Sequence, residues 1–199
     1  MERTFTIPKT IADVTVEQYV QFNTAKTDLA RAAFATGKKT KDIEGLTFHA
    51  IDTIVNLFEE VCDQTTAKHE QTFTVGAMRL GFIPDLNSMT MREHVDLEML
   101  SQAVWTKDNG INFKELPRLL AVLFRPVKRK LGIHYELQPY DAGKTNEYMF
   151  FINQMTVDRV NGALVFFSSI VKELHNNSQA YLLQQMKKKM EETLELQLD

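Results

Sequence analysis

The hydrophobic pattern of the first fifty residues predicts one short strand followed by helices. Residues 4–7 alternate between polar and apolar side chains and stop at a proline, which indicates a strand at the edge of a sheet. Thr15, with a glutamine three residues later, forms a capping box that predicts a helix beginning near Val16. A second helix is predicted over residues 28–35, and the charged, aperiodic residues 37–42 indicate a loop.

A longer amphipathic helix is predicted from residue 48 to residue 61. Its apolar positions follow the three-and-four spacing of one helix face: Phe48, Ile51, Ile54, Val55, Phe58 and Val61. The polar residues 63–71 follow and offer the best internal boundary. We therefore expect an N-terminal segment of a strand plus helices over residues 1–70 and a main α+β region over residues 71–199, or one compact domain that contains both.

Strand patterns appear after this boundary. Residues 73–75 and 78–83 have the composition of two strands, with Gly76 at a turn or bulge between them. A third short strand is predicted over residues 135–137 and stops at Pro139.

Two more helices are predicted around these strands. Thr90 begins a capping box that predicts a helix over residues 91–105. An apolar core helix is predicted over residues 113–130, with Pro126 ending or kinking it. Residues 141–146 indicate a surface loop.

The last third of the chain carries the longest helical pattern, which Thr156 can cap. Gly162 and Ala163 are small residues in its first apolar stripe, so we expect another helix to pack closely there. The whole pattern predicts a predominantly α-helical α+β fold, with a helical core, a small antiparallel sheet and a long C-terminal helix. The predicted core includes Phe82, Leu120, Leu123, Phe124, Leu164 and Phe167.

Composition and charge exclude several classes of function but do not identify one. The 23 basic and 26 acidic residues give a net charge of −3, which argues against general binding to nucleic acid. A single cysteine, Cys62, excludes an internal disulfide framework and a cysteine-rich metal cluster. The N-terminal residues lack the apolar run of a secretory signal, and the apolar run at residues 163–167 is too short to cross a bilayer. We expect a soluble, intracellular protein with no membrane partner.

No enzyme signature emerges from the motifs. Gly143-Lys144-Thr145 resembles the end of a phosphate-binding loop, but position 138 holds glutamine where that loop needs glycine. With Gly110 as the sixth residue of a calcium loop, the first, third and twelfth ligand positions hold Trp105, Lys107 and Leu116, which offer no side-chain oxygen. The histidines are scattered without zinc-site spacing: His49, His69, His94, His134 and His175. We predict no catalytic, cofactor-binding or metal-ligating residue, no enzyme activity and no cofactor.

Two charged clusters have ordinary structural explanations. Three acidic residues accompany His94 on the helix predicted over residues 91–105, where a solvated helix face is favoured over a paired-carboxylate site: Glu93, Asp96 and Glu98. The basic residues 128–130, with Arg125, fall at the end of the helix predicted over residues 113–130, where they complement the helix dipole.

The C-terminal residues offer a different kind of site. A narrow apolar seam runs through a strongly charged helical pattern and includes two methionines: Leu183, Met186, Met190 and Leu194. Methionine adapts to variable partner helices. The seam fits packing within the chain and binding to another chain equally well, and we take partner binding or self-association as the hypothesis.

Five motifs carry a resemblance to a known family. They are Gly81-Phe82-Ile83-Pro84-Asp85-Leu86, Val95-Asp96-Leu97-Glu98, Ala121-Val122-Leu123-Phe124-Arg125-Pro126-Val127, Tyr135-Glu136-Leu137-Gln138-Pro139-Tyr140, and Val160-Asn161-Gly162-Ala163-Leu164-Val165-Phe166-Phe167 continuing to Lys172-Glu173-Leu174. In this order they resemble small proteins encoded among the tail and virion-assembly genes of tailed bacteriophages, often described as tail assembly chaperone-like. The resemblance covers about residues 72–185.

The resemblance implies a non-enzymatic role in phage morphogenesis. A tail assembly chaperone covers apolar helices of the tape-measure protein before the tail tube forms, in the cytoplasm of the infected host. The alternative is a structural protein retained in the virion, in the tail, baseplate, head–tail junction or packaged cargo. Either role implies other phage structural proteins as partners, in a homo- or hetero-oligomer.

Overall fold

The structure is a computed structural model that describes residues 4–64, 70–83, 89–106, 110–132 and 134–163. The chain divides into two units after Gly162, and every described residue except Ala163 belongs to the first. Residues on both sides of position 70 therefore lie in one unit.

The N-terminal part of this unit is helical. Its helices are α1 (Val16–Thr24), α2 (Asp28–Thr36), α3 (Thr40–Ile43) and α4 (Phe48–Cys62). The hydroxyls of Thr15, Thr27 and Thr47 each accept a backbone N–H in the first turn of the helix that follows, which fixes where α1, α2 and α4 begin. The helices enclose a core of small and large apolar side chains: Ile11, Val14, Phe22, Ala32, Ala33, Ala35, Ile43, Ile51, Ile54, Val55, Phe58, Val61 and Val157.

Three N-terminal predictions need correction. Residues 4–7 form no strand; Phe5 and Ile7 instead pack as single side chains against the helical core. The region predicted as a loop contains the short helix α3, which buries Ile43. Phe48 is 79% exposed rather than buried, because it is the first residue of α4 and lies beyond the edge of the core.

A four-stranded antiparallel sheet follows, in the order β1-β2-β3-β4. Its strands are β1 (Thr72–Val75), β2 (Met78–Phe82), β3 (Phe124–Leu131) and β4 (His134–Leu137). Gly76 has a φ of 56° in the turn between β1 and β2, a conformation that favours glycine. The predicted strands at residues 73–75, 78–83 and 135–137 are thus confirmed, as is the turn.

The sheet is completed by a segment predicted to be helical. Helix α6 (Leu116–Leu123) ends before Phe124, and the next eight residues form β3, between β2 and β4. Pro126 cannot continue a helix, and the leucine spacing of α6 stops at Leu123. The basic residues 128–130 consequently lie on a strand and not at the C-terminus of a helix.

Two further helices pack with α6. Helix α5 (Met91–Val104) begins at Thr90 as its capping box predicts. Helix α7 (Thr145–Asn153) occupies part of the region predicted as a loop. No side chain caps α7, so the usual signal for a helix start is missing; burial of Tyr148 and Ile152 holds it in place.

A short backbone pairing closes the unit. The N–H of Val16 donates to the carbonyl of Met155, and the N–H of Val157 donates to the carbonyl of Val14. Residues 157–163 are helical, and Gly162 is buried. The described residues thus form an α+β fold that is predominantly helical, as predicted, and Phe82, Leu120, Leu123 and Phe124 lie in its core. Leu164, Phe167 and the predicted long C-terminal helix lie outside the described residues.

Candidate protein-binding surface on helix α5

Helix α5 is fixed at its first turn by two reciprocal hydrogen bonds. The N–H of Thr90 donates to Oε2 of Glu93 at 2.6 Å, and the N–H of Glu93 donates to Oγ1 of Thr90 at 3.3 Å. These bonds satisfy donors that have no partner within a helix. They also fix the carboxylate of Glu93 on the inner side of the helix, where the residue is buried.

The inner face of α5 is joined to the sheet by a buried ion pair. Oε1 of Glu93 lies 2.8 Å from Nη1 of Arg125 on β3, and both side chains are almost fully shielded from solvent. Oε1 of Glu93 and Nε of Arg125 have no hydrogen-bond partner among the residues that the structure describes. The contact is therefore mainly a charge–charge attraction, whose loss on one side would leave the other charge buried and unpaired.

The same arginine compensates for a proline in the sheet. Gln138 donates its N–H to the carbonyl of Pro126 at 2.9 Å, which makes these residues a hydrogen-bonded pair of an antiparallel ladder. Proline has no N–H to return the second bond. Nη1 of Arg125 instead donates to the carbonyl of Gln138 at 3.1 Å. Arg125 thus serves both the ladder and Glu93.

A second polar contact holds the middle of α5. The Tyr140 hydroxyl donates to Oδ2 of Asp96 at 2.8 Å. Burial, and then this hydrogen bond to Asp96, raise the pKa of Tyr140. Nearby, Tyr148 donates to the carbonyl of Ala121 at 3.0 Å, and burial raises its pKa to about 12. Both phenols are neutral donors at ordinary pH, so they fasten elements together and do not act as bases.

The outer face of α5 is apolar and exposed. Met91, Val95 and Met99 follow one another at intervals of four residues and are 78%, 43% and 62% exposed. Residues at this spacing lie above one another on one side of a helix. The inner face, with Leu97 and Val104 buried beside Glu93, lies on the opposite side. We call Met91, Val95 and Met99 the α5 stripe.

Charged residues border the α5 stripe on both sides. Arg92 and Asp96 lie along one edge, with Nε of Arg92 3.8 Å from Oδ2 of Asp96. His94 and Glu98 lie along the other edge, and both are exposed. An apolar strip with charged edges on a firmly held helix is the arrangement that helix-in-groove and helix–helix contacts use.

The roles predicted for the site residues are not tested by the described part of the chain. Leu183, Met186, Met190 and Leu194 lie outside the described residues, so their partner-binding role stays a prediction. Ala163 is the last described residue, and close helix packing at Gly162 and Ala163 also stays a prediction.

The acidic residues near His94 do not form one site. Glu93 points inward to Arg125 and Asp96 is bound by Tyr140, whereas Glu98 is exposed. Reading all three as a solvated face was therefore wrong for Glu93. The capping box with Thr90 is the only local sequence signal for the inward position of Glu93, because its charge partner Arg125 is 32 positions away in the sequence.

The structure also bears on the other candidate features: metal ligands, the Cys62 thiol, the Gly143-Lys144-Thr145 motif and membrane-spanning helices. Within the described residues, no three His, Cys, Asp or Glu side chains converge as metal ligands. Burial, and then the nearby carboxylates of Asp63 and Glu59, raise the pKa of Cys62 to about 12, so the thiolate form is disfavoured. Helix α7 follows the Gly143-Lys144-Thr145 motif, which resembles part of a phosphate-binding loop. Nζ of Lys144 lies 3.9 Å from Oδ2 of Asp141, so the positive charge of this lysine is beside a carboxylate. No helix in the described part of the chain is long and apolar enough to span a bilayer.

A comparison with known protein families, curated proteins and solved structures finds no match to this chain.

Proposed function

We propose that this chain is a non-enzymatic bacteriophage morphogenesis protein, a tail assembly chaperone that binds apolar helices of a tail protein such as the tape-measure protein. The observation that carries the proposal is the narrow apolar seam of Leu183, Met186, Met190 and Leu194 in the C-terminal sequence. The α5 stripe, an exposed apolar surface with two methionines on a firmly held helix, supports a role in contacts between protein chains. The order of motifs between residues 81 and 174 supports the phage setting. The host cytoplasm is the compartment where such a protein would act.

The α5 stripe suits a protein-binding role because its two faces differ in chemistry. Glu93 on the inner face contacts Arg125, and Asp96 at the edge of the stripe accepts a hydrogen bond from Tyr140. These contacts hold α5 in place and leave the apolar residues of its outer face exposed. Methionine side chains are unbranched and adapt to differently shaped apolar partners. A chain that works on other proteins, and not on a small substrate, has a use for such a surface.

The capture of a tail helix is assigned to the C-terminal seam of Leu183, Met186, Met190 and Leu194. This seam has the spacing of a helix that packs along another helix. Its flanking lysines and glutamates add little affinity when exposed, so the apolar positions must supply most of it.

Coexpression with the phage's tape-measure protein tests this function. We expect the chain to raise the soluble fraction of that protein and to copurify with it. A variant with Met186→Lys and Met190→Lys should lose both effects, because it places charges in the apolar seam. A variant with Gln184→Lys and Gln185→Lys adds the same charge outside the seam and should retain them.

Deletion of residues 180–199 tests the same seam independently. The truncated chain should keep the circular dichroism and melting transition of a folded protein while losing capture of the tape-measure protein. Undiminished capture by the truncated chain would contradict the assignment. Mass spectrometry of purified particles gives a further check, since many copies per virion would favour the structural alternative over a chaperone.

A further inference from the structure

We propose that the α5 stripe is a self-association surface, on which the α5 helix of a second copy of this chain lies antiparallel. This inference names a partner for the surface that supports the proposed function. Self-association is measured on the purified chain without any tail protein, so the two proposals can fail separately.

The spacing of the stripe is self-complementary. Met91 and Met99 lie four residues to either side of Val95, about 6 Å along the helix axis in each direction. A two-fold axis perpendicular to the helix at Val95 places Val95 against Val95 of the partner subunit. It also places each methionine against the opposite methionine of the partner. Contacts of this isologous kind are the usual basis of symmetric dimers.

The charged edges decide the orientation. When two helices pair antiparallel, each edge of one helix meets the same edge of the other. Arg92 then lies beside Asp96 of the partner subunit, about 3 Å away along the axis, and His94 lies beside Glu98 of the partner subunit at the same offset. Asp96 also lies about 3 Å along the axis from Asp96 of the partner subunit, and His94 lies at the same offset from His94 of the partner subunit. Each edge thus has two contacts between a base and an acid and one contact between like residues.

A parallel pair would have fewer contacts between bases and acids. Each edge would meet the other edge of its partner, so Arg92 would lie beside His94 of the partner subunit and Asp96 beside Glu98 of the partner subunit. Asp96 would also lie beside His94 of the partner subunit, so each edge would have two contacts between like charges and only one between an acid and a base. Like charges placed side by side are unfavourable and select against a pairing. The charge pattern of α5 thus favours the antiparallel dimer.

Sedimentation equilibrium of the full-length chain tests self-association, over concentrations from about 1 µM to about 1 mM, the range of weak protein complexes. We expect a monomer–dimer equilibrium. Val95→Glu should weaken association at least about tenfold, because it places two carboxylates against each other on the two-fold axis. Phe48→Glu changes an exposed phenylalanine on α4 in the same way and should leave association unchanged.

Mixing two charge variants separates repulsion from misfolding. Val95→Glu and Val95→Lys should each be monomeric with an unchanged circular dichroism spectrum, and an equimolar mixture should dimerise. A monomeric wild-type chain throughout the concentration range would overturn the proposal. So would a Val95→Glu chain that dimerises as well as the wild type.

Cysteine cross-linking tests the orientation in a Cys62→Ser background. In the antiparallel dimer, Val95→Cys should cross-link with itself on oxidation. Met91→Cys alone and Met99→Cys alone should not, because like positions are about 12 Å apart along the axis, beyond the reach of a disulfide. A mixture of the Met91→Cys and Met99→Cys chains should cross-link. Self-cross-linking of either methionine position would overturn the antiparallel arrangement.

Discussion

The guanidinium of Arg125 donates to the carbonyl of Gln138 at 3.1 Å, at the ladder position where Pro126 has no N–H to offer. A proline between two strands normally leaves the opposite carbonyl without a partner. Here the preceding residue supplies the missing donor from its side chain. The same side chain faces Glu93 on α5, so the position of the helix and the integrity of the sheet depend on one residue.

Arg125→Met should lower the free energy of unfolding by about 3–5 kcal/mol, the usual effect of removing one member of a buried ion pair. The variant leaves Glu93 buried without its counter-charge. Urea unfolding followed by circular dichroism measures the change. Lys128→Met is the control: it removes an exposed pair with Glu136 and should change stability by less than about 1 kcal/mol.

Pro126→Val should have different effects in two backgrounds. In a chain with Glu93→Leu and Arg125→Met, it supplies the N–H that the Gln138 carbonyl lacks, worth about 1 kcal/mol. In the wild-type background that carbonyl already has a partner, so the gain should be smaller. Effects on the unfolded chain are common to both and cancel in the comparison. Equal changes in both backgrounds would show that Arg125 does not replace the proline donor.

Gly81→Ala should lower the unfolding free energy by about 1–3 kcal/mol. A β-carbon at this position in β2 would lie 2.8 Å from Cδ2 of Leu137 and 3.0 Å from atoms of both Tyr135 and Val127. Tyr135 cannot move freely, because its hydroxyl donates to the carbonyl of Phe82. Thermal melting measures the loss. In a Leu137→Ala background the substitution should be milder; an equal loss there would refute the steric cause.

Stability should fall as the pH rises from about 10 to about 12, partly through Tyr148. Its pKa is raised from the usual 10.0 to about 12 in the folded chain, so the unfolded chain releases this proton first. The contribution is complete below pH 10 and is lost as the pH passes through the folded pKa. Tyr148→Phe should therefore give a shallower decline of unfolding free energy with pH. An identical slope in both chains would contradict the assignment.

Gly162→Leu should lower the unfolding free energy by about 1–3 kcal/mol if a helix packs closely at Gly162 and Ala163. The bulkier side chain would overfill the contact at this buried position. Asn161→Leu, at the neighbouring and less buried position, is the matched control. An unchanged melting midpoint for Gly162→Leu would show that the position has room for a large side chain.

Local signals in the sequence were sufficient where the cause of the structure is itself local. The hydroxyls of Thr15, Thr47 and Thr90 cap their helices within three residues, and the starts of α1, α4 and α5 were predicted correctly. Gly76 marked its turn for the same reason, since its positive φ is a property of one residue.

The predictions were wrong where contacts between residues far apart in the sequence determine the structure. The apolar residues after Leu123 fit a helix or a strand by pattern, and pairing with β2 and β4 selects the strand. Residues 4–7 have strand-like alternation but no strand to pair with among the described residues. The burial of Glu93 depends on Arg125, which no spacing rule connects to it. The α5 stripe was missed because its methionines become an exposed surface only once the opposite face of the helix is known.

The pairing of residues 14–16 with residues 155–157 has a consequence for synthesis on the ribosome. Val157 belongs to the same core as Ile11 and Phe58, so that core stays incomplete until the later segment has been translated. At about 5–20 residues per second, the 95 residues between positions 62 and 157 take about 5 to 20 s to add. During that interval the core of the nascent helices lacks Val157, and the pairing of residues 14–16 with residues 155–157 completes it.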